Sequence, residues 1–270
     1  MSVTFRSEAN EAAFRRAERR GEALLAGYLI ATDPEPAASL DIVREAVVAG
    51  IDIVELGVPS ARPHLDGDII RRGHRRVRRR GDLTREALLA YWRDVRRAVD
   101  APIWAMGYEA DVVSSGLYRA LLEERLVDGL LVPDCPLERL LPIEAEAAAH
   151  GADVVRFVSP AMPDEELARA CRGAAVLYAQ SYAGATGDPF AKVGRLDELC
   201  ERVRRLAPGC KIVAGFGLRT PEKVRLAVES GFDGAVVGSV LVNRCENGER
   251  DYLYRLIAEM KMTTLRSGGV

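Results

Sequence analysis

Two of the three carboxylates in one short stretch, "ELGVPSARPHLDGD" (55–68), are the first residues whose types and spacing suggest chemistry: Glu55 and Asp66. Glu55 closes the apolar run "IDIVE", where burial would penalise the charged form of a carboxylate. Such an acid holds its proton to higher pH and can exchange it near neutrality. Asp66 follows in a loop bearing Pro, Ser, His and Gly, where it could accept a hydrogen bond from a substrate N–H. Tyr108 and Tyr178 lie in two further apolar runs and offer hydroxyls. Plainer roles stand beside these: a salt-bridged Glu55, Asp66 as a turn residue before Gly67, and packing for both tyrosines.

The elements that must position these residues alternate along the chain. Short runs rich in Val, Ile and Leu recur: "LLAGYLIA" (24–31), "IDIVELG" (51–57), "PIWAMGY" (102–108), "DGLLVP" (128–133), "DVVRFVS" (153–159), "AAVLYAQS" (174–181), "KIVAGFG" (211–217) and "DGAVVGS" (233–239). Their nearly continuous hydrophobicity is that of parallel strands covered on both faces. Helical patterns such as "TREALLAYWRDVRRAV" and "PEKVRLAVESG" lie between them. Eight strands with intervening helices predict an α/β fold, a (β/α)8 TIM barrel over about residues 22–262 within a single domain, 1–270. A doubly wound open sheet would want a glycine-rich dinucleotide fingerprint after an early strand, and none is present. The segment "MSVTFRSEANEAAFRRAERR" has no apolar h-region, so it reads as a short N-terminal helix and not as a signal peptide.

Barrel enzymes place their sites at the C-terminal ends of the strands. Glu55, Tyr108, Asp134, Tyr178 and glycine clusters at 184–187, 215–217 and 238–239 fall there, so Glu55 should face the mouth. In "AGFGLRTPEKV" (214–224) and "VVGSVLVN" (236–243) a strand runs into a helix through glycine, which lets backbone N–H groups approach an anion. These predict a phosphate site, with Gly187, Gly217, Gly238 and Ser239 as candidates and Ser239 also capping its helix. Lysine occurs only at 192, 211, 223 and 261, and none of these ends a strand at the mouth, which argues against a Schiff base. The three histidines, His64, His74 and His150, show no carboxylate cluster with ligand spacing, so no metal is expected. That leaves carboxylate and tyrosine acid–base chemistry.

Composition removes several other classes. A formal net charge of −2 gives no global reason to expect nucleic-acid binding. The basic run "RRGHRRVRRRGD" (71–82) reads as a solvated helix face or an anionic partner surface. Five scattered cysteines without a C-x-x-C pair predict a reducing, cytoplasmic setting. No apolar run is long enough to span a membrane.

At the residues quoted above the sequence resembles the tryptophan synthase alpha chain family over nearly the whole barrel. The family's stretch around its acid–base glutamate reads like E-L-G-V-P-F-S-D-P-x-A-D-G-P. "TDPEP" (32–36) resembles the G-D-P after strand one, and "VPDCPLE" (132–138) the A-D-x-P-x-E after strand four. "LYAQSYAGATG" (177–187) resembles the loop with the active-site tyrosine, and the two glycine stretches resemble G-F-G-I and G-S-A. The resemblance implies a lyase cleaving indole-3-glycerol phosphate to indole and glyceraldehyde 3-phosphate by a cofactor-independent retro-aldol reaction. It implies Glu55 as the acid to indole C3, Asp66 as acceptor from N1–H, and Tyr178 at the family's active-site tyrosine. Tyr28, Tyr108, Val158, Thr186 and Phe216 would line the indole pocket.

The sequence departs from the family at several points. Arg62 replaces an acid in the catalytic loop, Asp68 a proline, Ala183 a serine, Tyr182 an arginine, Ala110 an asparagine and Trp104 a small residue. The resemblance implies a pyridoxal-phosphate beta chain as a possible partner, but an acid-to-arginine change at a docking loop opposes that pairing. The first reading is therefore a stand-alone lyase. The others are an alpha subunit in a complex, an aldolase or isomerase on another phosphorylated substrate (Tyr28, Trp104 and Pro133 near the pocket allow it), and a non-catalytic binding protein.

Overall fold

The computed structural model describes residues 4–180, 193–215 and 217–266. Parallel strands alternate with helices in chain order: β1 (Leu24–Ile30), α2 (Pro36–Ala49), β2 (Ile53–Gly57), α3 (Asp68–Arg79), α4 (Arg85–Ala98), β3 (Ile103–Met106), α5 (Leu117–Glu123), β4 (Gly129–Leu131) and α6 (Leu137–Ala149). There follow β5 (Asp153–Val154), β6 (Arg156–Val158), α7 (Asp164–Cys171), β7 (Val176–Ala179), α8 (Val193–Leu206), β8 (Lys211–Ala214), α9 (Pro221–Glu229), β9 (Gly234–Val237), α10 (Ser239–Glu246) and α11 (Arg250–Met262). Helix α1 (Glu8–Arg19) precedes them all. Helix starts follow local capping chemistry: Thr84 accepts from Ala87 N–H before α4, and Glu35 accepts from Ala38 N–H before α2, whose first residue is Pro36.

The strands pair in the order β5-β4-β3-β2-β1-β9-β8-β7-β6. β5 and β6 are two halves of the single run 153–159, divided at Val155. The first half pairs with β4 and the second with β7, which brings the two ends of the sheet together as a (β/α)8 barrel. The run expected as one strand is therefore a strand that changes partner midway. The outward side chain at the break, Arg156, binds both carboxylate oxygens of Glu144 on α6 (2.5 and 2.6 Å) and the carbonyl of Ala170 (2.9 Å).

Two layers of apolar packing follow from the period-two alternation of the strands. Val54, Leu56, Ile103, Ala105, Leu177 and Ala214 face the helices. Leu24, Ala26, Ile53, Trp104, Leu131, Val155, Val176, Val213 and Val236 fill the barrel, and Ala13, Phe14 and Ala17 of α1 join this inner cluster. α1 is fixed at the strand starts by Asn10, whose Nδ2 donates to Asp128 O and to Asp153 Oδ2 (both 2.8 Å). The Trp104 indole N–H donates to Asn10 Oδ1 (2.9 Å), so this residue points down to the plug helix and away from the mouth, where the sequence had suggested it. Its bulk is accepted by Gly129 in the same layer, where an added Cβ would stand 2.5 Å from Trp104 Cδ1. None of the described helices is long and apolar enough to cross a membrane.

Candidate active site

Glu55 is the inward residue between Ile53 and Gly57 on β2, and it is fully buried. Neither carboxylate oxygen has a hydrogen-bond partner among the described residues. Desolvation first, and the Asp66 charge second, push its carboxyl up to about 8. An acid so placed carries its proton at neutral pH and has no hydrogen-bond acceptor for it among the described residues.

The cavity it lines measures about 460 Å³, within the range of small-molecule sites. On the β1–β3 side lie Tyr28, Met106, Tyr108, Asp66 and His74; on the β7–β9 side lie Tyr178, Gln180, Gly215, Gly217, Gly238 and Ser239. Tyr28 and Tyr178 are admitted by glycines. A Cβ at Gly57 would meet the Tyr28 hydroxyl at 2.2 Å, and one at Gly215 would meet Tyr178 Cε1 at 1.8 Å. Burial raises both phenols well above the ordinary tyrosine value, with the nearby carboxylates adding to it, so both stay protonated donors.

Asp66 is held from two sides. The Tyr108 hydroxyl donates to Asp66 Oδ2 (2.7 Å) and accepts from Leu65 N–H (3.1 Å). Burial and this carboxylate raise the Tyr108 pKa, keeping it the donor. His74 of α3 is almost wholly buried, and its Nδ1 accepts from Ser60 N–H (3.1 Å). That bond leaves the ring proton of a neutral His74 on Nε2, which stands 3.3 Å from Asp66 Oδ2 without hydrogen-bond geometry. His74 is not among the site residues expected from sequence, where the histidines show no carboxylate cluster with metal-ligand spacing. Its signal was its place in the buried stripe Gly73, His74 and Val77 of an otherwise basic helix. The ring of His64 also stands 4.7 Å from that of Tyr108. Asp134, by contrast, accepts from Glu109 N–H (2.7 Å) and is not among the cavity-lining side chains.

Gly217 takes a left-handed backbone (φ 61), which suits glycine where a strand end must turn sharply beside a ligand. Ser239 lines the cavity but does not cap α10. Gly238 holds the cap position without a side chain, and Ser239 is the first helical residue. The leading N–H groups of α10 therefore have no side-chain cap, an arrangement that suits an anion. Val158 is a second correction: it lies outside this cavity, among the residues that pack against the helices, and lines a neighbouring one. The parity of β6 decides this, since Val155 and Phe157 face inward and Phe157 packs on Tyr178 with ring centroids 5.0 Å apart. Thr186, Gly187 and Phe216 lie outside the described residues.

A buried, proton-bearing glutamate opposite an anchored aspartate, with glycine-edged strand ends across the mouth, suits a barrel enzyme that moves protons on an anionic substrate. Comparison with known proteins narrows that class. The chain belongs to the tryptophan synthase alpha chain family, whose model, "Tryptophan synthase alpha chain", matches residues 14–266. It is 34% identical over 256 residues to the tryptophan synthase alpha chain of Gluconacetobacter diazotrophicus, covering 91% of this chain and 92% of that one. It is also 34% identical to that of Caulobacter vibrioides, covering 82% and 80%. Among solved structures, Mycobacterium tuberculosis tryptophan synthase superposes with a TM-score of 0.85 at 27% identity, covering 97% of this chain and 99% of that one.

Proposed function

We propose that the chain is a lyase that cleaves indole-3-glycerol phosphate to indole and glyceraldehyde 3-phosphate, acting alone. The observation that carries this reading is the buried Glu55 carboxyl, proton-bearing at neutral pH and unpartnered among the described residues, in one cavity with Asp66. Glu55 delivers its proton to indole C3, and the resulting positive charge spreads to N1. Asp66, fixed by Tyr108, accepts the N1–H hydrogen bond, which strengthens as that charge grows. The Glu55 carboxylate then takes the proton of the glycerol hydroxyl next to the ring. The C–C bond breaks, its electron pair returns to the ring, and indole and the aldehyde leave with Glu55 reprotonated. The protonated ring is the electron sink, so the scheme calls for neither metal nor cofactor. Gly217, Gly238 and Ser239 hold the phosphate, with Tyr28 and Tyr178 beside the reacting end.

Action without a partner is supported by how the Asp66 loop is held. Ser60 N–H is bound by His74, Arg62 N–H by Ser60 Oγ (3.0 Å), Leu65 N–H by Tyr108, and the Pro63 carbonyl by Arg71 Nε (3.3 Å). A second reading, an alpha subunit working with a pyridoxal-phosphate beta chain, is favoured by the family itself. The test of the chemistry is indole release from indole-3-glycerol phosphate by the purified chain and by Glu55→Gln. The parent should turn over and the variant should fall by about 10²–10⁴-fold. Equal rates would remove Glu55 from the mechanism.

A further inference from the structure

The arginines of α3 and the turn after it divide into two stripes. Arg72, Arg76 and Arg80, four residues apart, are satisfied internally. Arg72 binds Glu246 of α10 at 2.8 Å, and Arg76 binds the buried Asp33 (2.7 and 2.8 Å) and Glu246 (3.0 Å). Arg80 binds the carbonyls of Thr32 and Pro34 (2.8 and 2.7 Å). These three of the run's seven arginines are fold-holding contacts. The other stripe, Arg71, Arg75, Arg78 and Arg79, turns away from them. With Arg62, Pro63 and His64 of the Asp66 loop it lines a groove of about 460 Å³. Among the described residues, the side chains of Arg62, Arg75, Arg78 and Arg79 have no hydrogen bond or ion pair. Two acids reach the groove's edge: Asp68 stands 3.7 Å from Arg71, and Asp134 stands 3.8 Å from the His64 ring.

Five guanidinium groups held together with a single counter-charge, Asp68 beside Arg71, repel one another and are a cost the fold does not need. Each is a planar fork suited to carboxylate. From this we infer that the groove is a docking site for an acidic segment of a partner protein, a stretch of Asp and Glu side chains laid along α3. This is independent of the lyase reading, since it concerns a surface outside the cavity. Two features favour an acidic polypeptide over a nucleic acid. Among the described residues no Phe, Tyr or Trp lines the groove, so they offer no aromatic platform for bases. The whole chain carries 40 Asp and Glu against 38 Lys and Arg, a formal net charge of −2, so the chain as a whole offers no net attraction for a long polyanion. The groove also adjoins the site: Arg71, which lines it, holds the Pro63 and His64 carbonyls just before Asp66.

The test is fluorescence anisotropy of a labelled octaglutamate peptide with the intact chain at about 0.15 M salt. Arg75→Glu/Arg78→Glu is compared with Arg15→Glu/Arg44→Glu, which makes the same change in net charge on α1 and α2. Thermal melts of both variants check folding, and a single-stranded oligonucleotide of equal charge is run in parallel. Saturable binding to the parent, weakened about tenfold or more by the groove pair and little changed by the control pair, is the expected result. Absence of peptide binding, equal loss in both variants, or tighter groove-dependent binding of the oligonucleotide would each overturn the assignment.

Discussion

At Glu55 burial and the Asp66 charge act in the same direction, and the consequence reaches stability as well as catalysis. Its folded-state value of about 8 lies above the ordinary 4.5 of a glutamate. The folded chain keeps a proton that the unfolded chain releases, so this residue's contribution is complete below about pH 4.5 and is lost as pH rises through about 8. At ~1.4 kcal/mol per unit the whole span is at most roughly 5 kcal/mol. Glu55→Gln removes the titration while keeping the shape. Its melting temperature should exceed the parent's above about pH 8 and converge with it near pH 5. Calorimetry across that range checks this, and a constant gap would mean that Glu55 is not a buried unpaired acid. Tyr108→Phe addresses the partner acid. It removes the hydroxyl that both donates to Asp66 and receives Leu65 N–H. A charge-assisted hydrogen bond is worth ~1.5–3 kcal/mol, so kcat/KM for indole release should fall about tenfold to a hundredfold. An unchanged value would show that Tyr108 only packs.

At the scale of elements, the strands place chemistry through parity and glycine. Inward positions alternate along β2 and β7, and the tyrosines fit because Gly57 and Gly215 leave room for their rings. Gly215→Ala should force the Tyr178 ring aside and destabilise the chain by ~1–3 kcal/mol, with activity lost beside it. In a Tyr178→Ala background the same change should be nearly neutral, and a double-mutant cycle by chemical denaturation measures the coupling. Additive losses would mean that the two residues do not meet. Much of this level was legible in the sequence. Strands covered on both faces are continuous apolar runs, and glutamate at the end of one stands out. The division at Val155 was not legible, because "DVVRFVS" reads as one strand and only its exchange of partners shows the break. Val158 was misplaced for the same reason, since its parity depends on where the barrel puts Val155 and Phe157. His74 was hidden because its relation to Asp66 depends on how α3 lies against the loop, although its place in a buried stripe was visible. Ser239 as a cap failed because Gly238 takes the cap position first.

For the whole molecule, the question is whether one chain completes the site. The described cavity draws its acid, its aspartate, both tyrosines and the glycine-edged strand ends from this chain. The Asp66 loop is fastened by the chain's own Tyr108, His74 and Arg71. Family membership alone is equally compatible with an alpha subunit that works in a complex. The measurement that separates them is the steady-state rate of indole release from indole-3-glycerol phosphate by the purified chain, with and without an added beta chain. The account predicts turnover by the chain alone that the beta chain leaves nearly unchanged. Silence alone with activity on adding the beta chain would contradict independent action, and silence in both would contradict the proposed substrate.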